Sequence, residues 1–510
     1  MDILGLHIDW DSSIPVYRQI AEAIQQAAGA GTLRPGHRLP ATRDLARRLG
    51  VNRNTVVSAY DILAQEGWVS SHTGRGTFLV EVLPADDGDF APAEPAETDS
   101  WFTDFSRAVS TAGAGGLQSI YRLAIASDGI SFVGSYPADE LMPVAPFAEA
   151  MDRALRQVGT RGLAYGPTAG YLPLRKRIAA SMRGAGSRAT ARDILITNGA
   201  QQAIALVLRA LVDRGDAVVV EEPTYTGVFS VLQALGARVV GVPVDEEGIR
   251  AEALAIALER HRPRLLYVQP NYQNPTTALM GEVRRREVLA IATRYRVPVL
   301  EDDWAGDLRL EGEPLPSLHA LDGGRHVIYV STFSKKLMPG LRIGWIAAPP
   351  RVLERLVELK RLEDCGTSSI LQAALDVFLA DGGLSTHLER VLPEYRTRRD
   401  RMLSSLDRAF PAAARWTRPS GGLFVWATLP EGFDGNELFV AARQRGVLYS
   451  RGELFHGDGA GRNSLRLTYS TATPDEIESG IDTLGDLVRA RVSARHGTLR
   501  EATVEATPIF

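Results

Sequence analysis

Six short apolar runs constrain this 510-residue chain more than any other feature: DAVVVEEPTY, ARVVGVPVD, RLLYVQPNYQNPT, VPVLEDDW, HVIYVSTFSK and RIGWIAAP. They alternate with stretches of helical pattern. Such alternation specifies a mostly parallel sheet flanked by helices, because near-continuous apolar strands must be buried on both faces. In sheets of this kind ligands gather beyond the carboxyl ends of the strands. Tyr225, Asn274, Asp302 and Lys335 each directly follow one of the runs. Several separate strand ends thus carry polar groups suited to one shared ligand.

The densest motif follows the fifth run. Residues 331–345, STFSKKLMPGLRIGW, place Lys335 and Arg342 seven residues apart around a Ser/Thr-rich turn and a glycine. A pyridoxal phosphate (PLP) site needs these groups. The lysine amine can form a Schiff base with the cofactor aldehyde, while the hydroxyls of Thr332 and Ser334 and the fork of Arg342 serve the phosphate. Lysine is otherwise scarce: Lys176, Lys335, Lys336 and Lys360 are the only four among 57 basic residues. Two of the four stand in this motif, which points to a need for a titratable amine that arginine cannot supply.

Other residues suit the same ligand. Asp302 can pair with a pyridine nitrogen and keep it protonated, which makes the ring an electron sink. Asn274, in NPT, can donate to the ring hydroxyl, although alone an Asn before proline reads as a turn former. Tyr225 can stack on the ring. The stretch TNGAQQAIALVLRAL puts Gly199, Ala200 and Gln201 at a helix start, where free backbone amides suit a phosphate. Arg466, in SLRLTYS, can clamp a substrate carboxylate with two parallel hydrogen bonds. No metal site is expected.

Length implies two or three domains. A net charge of -4 excludes a globally basic nucleic-acid binder and leaves local basic patches open. Cys365 is the single cysteine, so no disulfide forms within the chain, which suits a reducing compartment. The start MDILGLHIDWDSS has three aspartates and no positive segment, and no apolar run approaches the length of a membrane span. A cytoplasmic protein with no membrane partner is the expectation. Residues 84–104 hold seven acidic residues, no basic one, and prolines at 84, 92 and 95. Like charges extend such a segment and proline stiffens it. The expected domains are therefore 1–82, a linker at 83–104, a large domain at 105–495, and a loose tail at 496–510.

In the first 82 residues Val16, Ile20, Ile24 and Ala27 recur at helical spacing after Pro15. Thr42 suits the N-cap of a second helix that Gly50 ends, and Asn52 or Asn54 opens a third with Val56, Ala59, Tyr60 and Leu63 inward. WVSSHTGRGTFLV then reads as a hairpin wing, so the order is that of a winged helix-turn-helix. Residues 34–75 carry seven arginines against three acids. Charge alone would make these a solvated surface, but the order of elements favours DNA. Arg53, Asn54 and Thr55 open the third helix, where they would reach base edges and phosphates in a major groove. Arg43 and Arg75 would touch the backbone or minor groove.

On the strings LRPGHRLPATRDLARRLGVNRNTVVSAYDILAQEGWV and GRGTF, residues 14–80 resemble the winged helix of the GntR-type bacterial regulators. On the motifs above, residues 104–491 resemble fold-type I, class I aminotransferases. That resemblance makes Lys335 the Schiff-base lysine, Asp302 the pyridine partner, Asn274 the ring-hydroxyl donor, Tyr225 the stacking ring and Arg466 the carboxylate clamp. Tyr165, in LAYGPTAGYLPLR, matches a tyrosine that reaches the phosphate of a neighbouring subunit, which implies a homodimer with composite sites. Two departures stand out: NPTG reads NPTT, with Thr277 for glycine, and Ala305 replaces a tyrosine often found there, with Trp304 one residue earlier.

The combination resembles the MocR (GabR-like) family of bacterial transcription regulators. The implied fold is multidomain, a small α/β winged helix-turn-helix followed by an α/β fold-type I PLP-dependent transferase with a smaller C-terminal subdomain. The implied function is a PLP-dependent regulator of operator DNA whose aminotransferase-like domain senses a small amino compound or PLP itself. A coupling of ~1–3 kcal/mol between effector and DNA sites suffices for a response. The alternative is a working aminotransferase with an accessory DNA-binding domain. A weaker third reading makes the winged helix a protein-docking module.

Overall fold

A computed structural model describes residues 16–29, 33, 37–65, 68–72, 76–79 and 129–504. The chain divides into two compact units, Met1–Thr98 with Asn436–Gln444, and Asp99–Gly435 with Arg445–Phe510. The acidic linker lies outside the described residues.

In the smaller unit, α1 (Val16–Gly29), α2 (Thr42–Leu49) and α3 (Arg53–Gln65) precede an antiparallel wing of β1 (Val69–His72) and β2 (Gly76–Leu79). Ile20 and Ile24 of α1, Leu45 of α2, and Val56, Tyr60 and Leu63 of α3 pack into one core with Val69 and Leu79. Their spacing of three and four residues gives each helix one apolar stripe. Gly50 ends α2 with a left-handed φ of 66° and bonds its N–H to Ala46 O, the geometry a glycine tolerates without cost. Thr42 is not the N-cap: it is the first helical residue, and Ala41 occupies the cap with no side-chain bond. Asn52 does act at the start of α3, its Oδ1 accepting from the Asn54 N–H at 2.9 Å.

The larger unit begins with β3 (Ile130–Phe132) and continues through β4 (Ile194–Thr197), β5 (Ala217–Glu222), β6 (Arg238–Asp245), β7 (Gly248–Ile249), β8 (Leu265–Val268), β9 (Val299–Asp303), β10 (Val327–Thr332) and β11 (Gly344–Ala347). The strands from β4 to β11 form one sheet in the order β4-β11-β10-β9-β8-β5-β6-β7. Its centre, from β10 through β9, β8 and β5 to β6, is parallel; β11 runs antiparallel between β10 and β4. Side chains alternate between two cores as the pleat requires. Val218, Val220, Leu265 and Tyr267 enter one apolar cluster, while Val219, Leu266 and Val268 enter the other. This double burial is why the strands read as continuous apolar runs.

A second sheet, in the order β12-β13-β15-β14-β3, holds β12 (Arg415–Trp416), β13 (Phe424–Thr428), β14 (Val447–Arg451) and β15 (Ser464–Thr468). β3 comes from the start of the unit and pairs in parallel with β14, a pairing with no local sequence signal. The last helix spans Pro474–Val504, eight residues beyond His496, where the sequence reading starts a tail. Ile477, Ile481, Leu484 and Val488 bury one face of it. Among the described residues no helix is long and apolar enough to cross a membrane.

Candidate functional site

Lys335, Asp302, Asn274, Tyr225, Ala200, Thr332 and Arg466 line one cavity beyond the carboxyl ends of the central strands. The fold brings together seven of the residues singled out in the sequence. Gly134, Ser135, Tyr136, Gln269, Trp304 and Phe424 complete the lining with Thr226, and none of these was marked as a ligand group in advance. Trp304 stacks on Phe424 with ring centres 5.4 Å apart, so it supplies an aromatic wall one residue before Ala305.

Asp302 is the penultimate residue of β9 and is buried. Its Oδ2 accepts from the Tyr267 hydroxyl at 2.7 Å and from Gln269 Nε2 at 3.0 Å. Its Oδ1 is buried and has no hydrogen-bond partner among the described residues. Burial pushes this carboxyl up to about 6 against the pull of the two donors. Tyr267 and Gln269 are two residues apart in RLLYVQ, which puts them on one face of the strand; that periodicity was the available signal. Glu221 lies nearby at the end of β5, also fully buried, and burial pushes it up to about 8.

Lys335 is half-buried. Its pKa is pushed down to about 8, first by desolvation and then by the positive charges of Arg466 and Arg342, with Asp302 acting in the opposite direction. A substantial fraction of the amine is therefore neutral near pH 7.5, the form a nucleophile requires.

Arg466 is buried in the middle of β15. Its Nη1 donates to Asn274 Oδ1 at 3.1 Å, and its Nη2 to Val133 O at 2.8 Å and Ser450 Oγ at 3.2 Å. Phe424 and Phe455 hold the guanidinium between them at 5.0 and 4.9 Å. Its Nε has no partner and no carboxylate is bonded to it among the described residues. Desolvation lowers its pKa, so the site favours an incoming anion.

At the other end of the cavity Gly199 caps the helix Ala200–Leu211 with φ 84°. A Cβ on Gly199 would stand 2.8 Å from Arg342 Nη2, and one on Gly344 would stand 2.7 Å from Gly199 C and 2.9 Å from Ala200 N. The two glycines thus keep this backbone cup open. Arg342 Nη2 donates to Asn198 O at 3.0 Å. Thr332 Oγ1 lies 3.1 Å from Ser334 Oγ, and the Ser334 N–H donates to Thr332 Oγ1 at 3.1 Å. Gln201 accepts from the Tyr225 hydroxyl at 3.0 Å. Gln201, Ser334 and the exposed Arg342 are not among the lining residues.

Beside Asn198 lies a network centred on the buried Lys360, with half-buried partners and no local sequence signal. Lys360 Nζ donates to Asp364 Oδ2 at 2.6 Å and to Gln202 Oε1 at 3.0 Å; Asp364 also accepts from Asn198 Nδ2 at 2.6 Å. Tyr165 is elsewhere. It is 97% exposed and does not line the cavity within one chain.

Thr277 adopts a left-handed φ of 62°, a conformation that a β-branched residue enters at a cost. Its hydroxyl lies 3.1 Å from Thr417 Oγ1. In the smaller unit Arg43 sits in the first turn of α2 and Arg53, Asn54 and Thr55 in the first turn of α3; the first three of these are exposed and Thr55 is half-buried. Arg75 lies outside the described residues.

Residues 16–79 match the bacterial regulatory proteins of the gntR family, and residues 133–484 match aminotransferase class I and II. The chain is 31% identical to the probable rhizopine catabolism regulatory protein MocR of Rhizobium meliloti, over 98% of this chain and 99% of that one. It is 32% identical to the uncharacterised HTH-type transcriptional regulator YisV of Bacillus subtilis, over 94% and 97%. Among solved structures, LysN, the alpha-aminoadipate aminotransferase of Thermus thermophilus, complexed with N-(5'-phosphopyridoxyl)-L-leucine, aligns with a TM-score of 0.72 at 36% identity, covering 76% of this chain and 98% of that one.

The aminotransferase class I and II domain is a PLP domain, and the residues present fit that cofactor. Asp302 Oδ1 is a buried acceptor without a donor among the described residues, Lys335 is an amine of lowered pKa, and the two glycines of the cup leave no room for a Cβ. With a GntR winged helix ahead of a class I and II aminotransferase domain, and near full-length similarity to MocR, this chain belongs to the MocR family of HTH-type transcriptional regulators.

Proposed function

We propose that the protein is a PLP-dependent regulator of operator DNA, in which an amino compound with a carboxylate, or PLP itself, changes the affinity of the winged helices for DNA. The observation that carries this reading is the grouping, in one cavity of a chain that also holds a winged helix, of Lys335, of Asp302 Oδ1 with no donor among the described residues, and of Arg466 with no carboxylate bonded to it among them. When bound, PLP supplies an aldehyde and an electron-withdrawing ring. Lys335 would supply the amine that holds the aldehyde, and Asp302 would accept a hydrogen bond from the ring N–H and keep that nitrogen protonated. Asn274 and Tyr225 orient the ring, Asn274 being itself held by Arg466. Ala200, Thr332, Ser334 and Arg342 serve the phosphate. An effector carboxylate placed on Arg466 would take the Nη1–H that Asn274 Oδ1 now accepts, tying occupancy to the position of β15.

Arg43, Arg53, Asn54, Thr55 and Arg75 are the proposed DNA contacts. The exposed Tyr165 is the proposed reach into a partner subunit, which makes the active form a homodimer. A cytoplasmic location follows from DNA as the partner. Similarity to LysN favours a second reading, residual transaminase activity in the same site.

The test is visible absorption and operator binding on one preparation, with wild type beside Lys335→Ala and a panel of amino compounds. The regulator reading expects a cofactor band that Lys335→Ala loses, and a compound that changes both the band and DNA affinity without producing a keto acid. Steady keto-acid formation with unchanged DNA affinity would put the enzyme reading first.

A further inference from the structure

A second cavity, of about 440 Å³, lies against the same strands and shares no lining residue with the cavity around Lys335. Asp302 lines the first and its neighbour Asp303 the second, since successive residues of a strand point to opposite faces. Lys335 and Lys336 divide in the same way.

The rear cavity has an aromatic floor. The rings of Phe333 and Trp345 lie 5.1 Å apart, and Tyr329 stands 6.4 Å from Trp345. Its innermost carboxylate is already taken. Asp303 accepts from Asn271 Nδ2 and the Gly306 N–H at 2.9 Å each, and from the Tyr329 hydroxyl at 2.8 Å. Asp307 accepts from Lys336, and Glu313 stands exposed at the rim.

Its donors are not used up. An ammonium carries three protons. The buried Lys336 directs one to Asp307 and lies over Trp345 and Phe333 at 4.9 and 5.2 Å. Trp345 Nε1 is fully buried, out of a ligand's reach, and has no hydrogen-bond partner among the described residues. Arg177 donates through Nε to Asp376 at 2.7 Å, and among the described residues the Arg309 side chain makes no hydrogen bond. A satisfied Asp303, spare donors on Lys336 and a ring-lined floor are complementary to an anion that carries an aromatic ring.

We propose that this rear cavity is a second small-molecule site, one that takes a small aromatic carboxylate, with its ring on Phe333 and Trp345 and its carboxylate on Lys336. The volume is in the range of small-molecule sites. Asp303 and Lys336 are covalent neighbours of Asp302 and Lys335, so occupancy of one cavity is linked to the setting of the other. The site does not depend on the cofactor assignment.

The test is calorimetric titration of the full chain, both PLP-loaded and PLP-free, with 2-naphthoate and its neutral counterpart 2-naphthamide. Naphthoate is expected to bind in both forms. Lys336→Met should weaken it about tenfold or more, the scale of one charge-assisted hydrogen bond, and leave naphthamide nearly unchanged. Ser181→Trp, at an exposed position bordering the cavity on the helix Leu172–Gly184, should block both probes without lowering the melting temperature. Displacement of naphthoate by PLP would overturn the proposal, as would wild-type binding in Ser181→Trp. Equal affinity for naphthamide and naphthoate would remove the anion site.

Discussion

Replacing Tyr267 by phenylalanine tests the electrostatic core of the cofactor site without touching a residue that lines the cavity. The Tyr267 hydroxyl is fully buried and donates to Asp302 Oδ2 at 2.7 Å. A hydrogen bond to a charged group contributes about 1.5–3 kcal/mol. Its loss would raise the pKa of Asp302 by about one to two units, at 1.36 kcal/mol per unit. Burial already holds that carboxyl at about 6, so in Tyr267→Phe it would titrate around neutrality. An acid with a raised pKa gains its charge only as pH rises through the new value. At pH 7 the variant would hold much of Asp302 protonated and unable to accept the ring proton, whereas at pH 9 the carboxylate is restored in both proteins. PLP affinity, measured by equilibrium dialysis, should therefore fall about 2- to 10-fold in the variant at pH 7. The gap to wild type should narrow at pH 9. Equal affinities at both pH values would show that Tyr267 does not govern the charge of Asp302, and the argument would fail.

Three further outcomes are expected. Lys360→Met leaves Asp364 facing Asn198 and Gln202 without its cation, and should lower stability by about 3 kcal/mol while weakening PLP binding; denaturant melts and PLP titration check it. Thr277→Gly relieves a left-handed conformation that a β-branched residue adopts at a cost, and should raise stability by about 1 kcal/mol by chemical denaturation, less what the bond to Thr417 contributes. Arg53→Ala should weaken operator binding and reduce the slope of log affinity against log salt by about one if Arg53 meets a phosphate; an unchanged slope with relaxed sequence preference would instead place it on a base edge.

Much of the site was legible because it is built on local pattern. Strand ends announce themselves by the switch from apolar to polar residues, so Tyr225, Asn274, Asp302 and Lys335 could be read as convergent before any fold was known. Gly50, Gly199 and the stripe of α1 follow from helix period and backbone freedom, which are properties of a few consecutive residues. Thr42 shows the limit of that method, since a cap residue type at the right place still yielded the cap to Ala41.

What escaped the sequence depends on residues far apart in the chain. Tyr267 and Gln269 matter because β8 and β9 are neighbours in the sheet, and nothing in RLLYVQ says which strand will lie beside it. β3 joins a sheet otherwise drawn from the other end of the larger unit, through backbone bonds that leave no mark on side-chain pattern. Lys360 reads as an ordinary helix lysine until Asp364, Gln202 and Asn198 close around it. The rear cavity likewise exists only because Lys336, Asp303 and Trp345 share one side of the folded sheet. Pattern fixes which residues face inward; only the folded chain fixes which of them meet, because burial converts distant groups into partners whose charges water no longer screens.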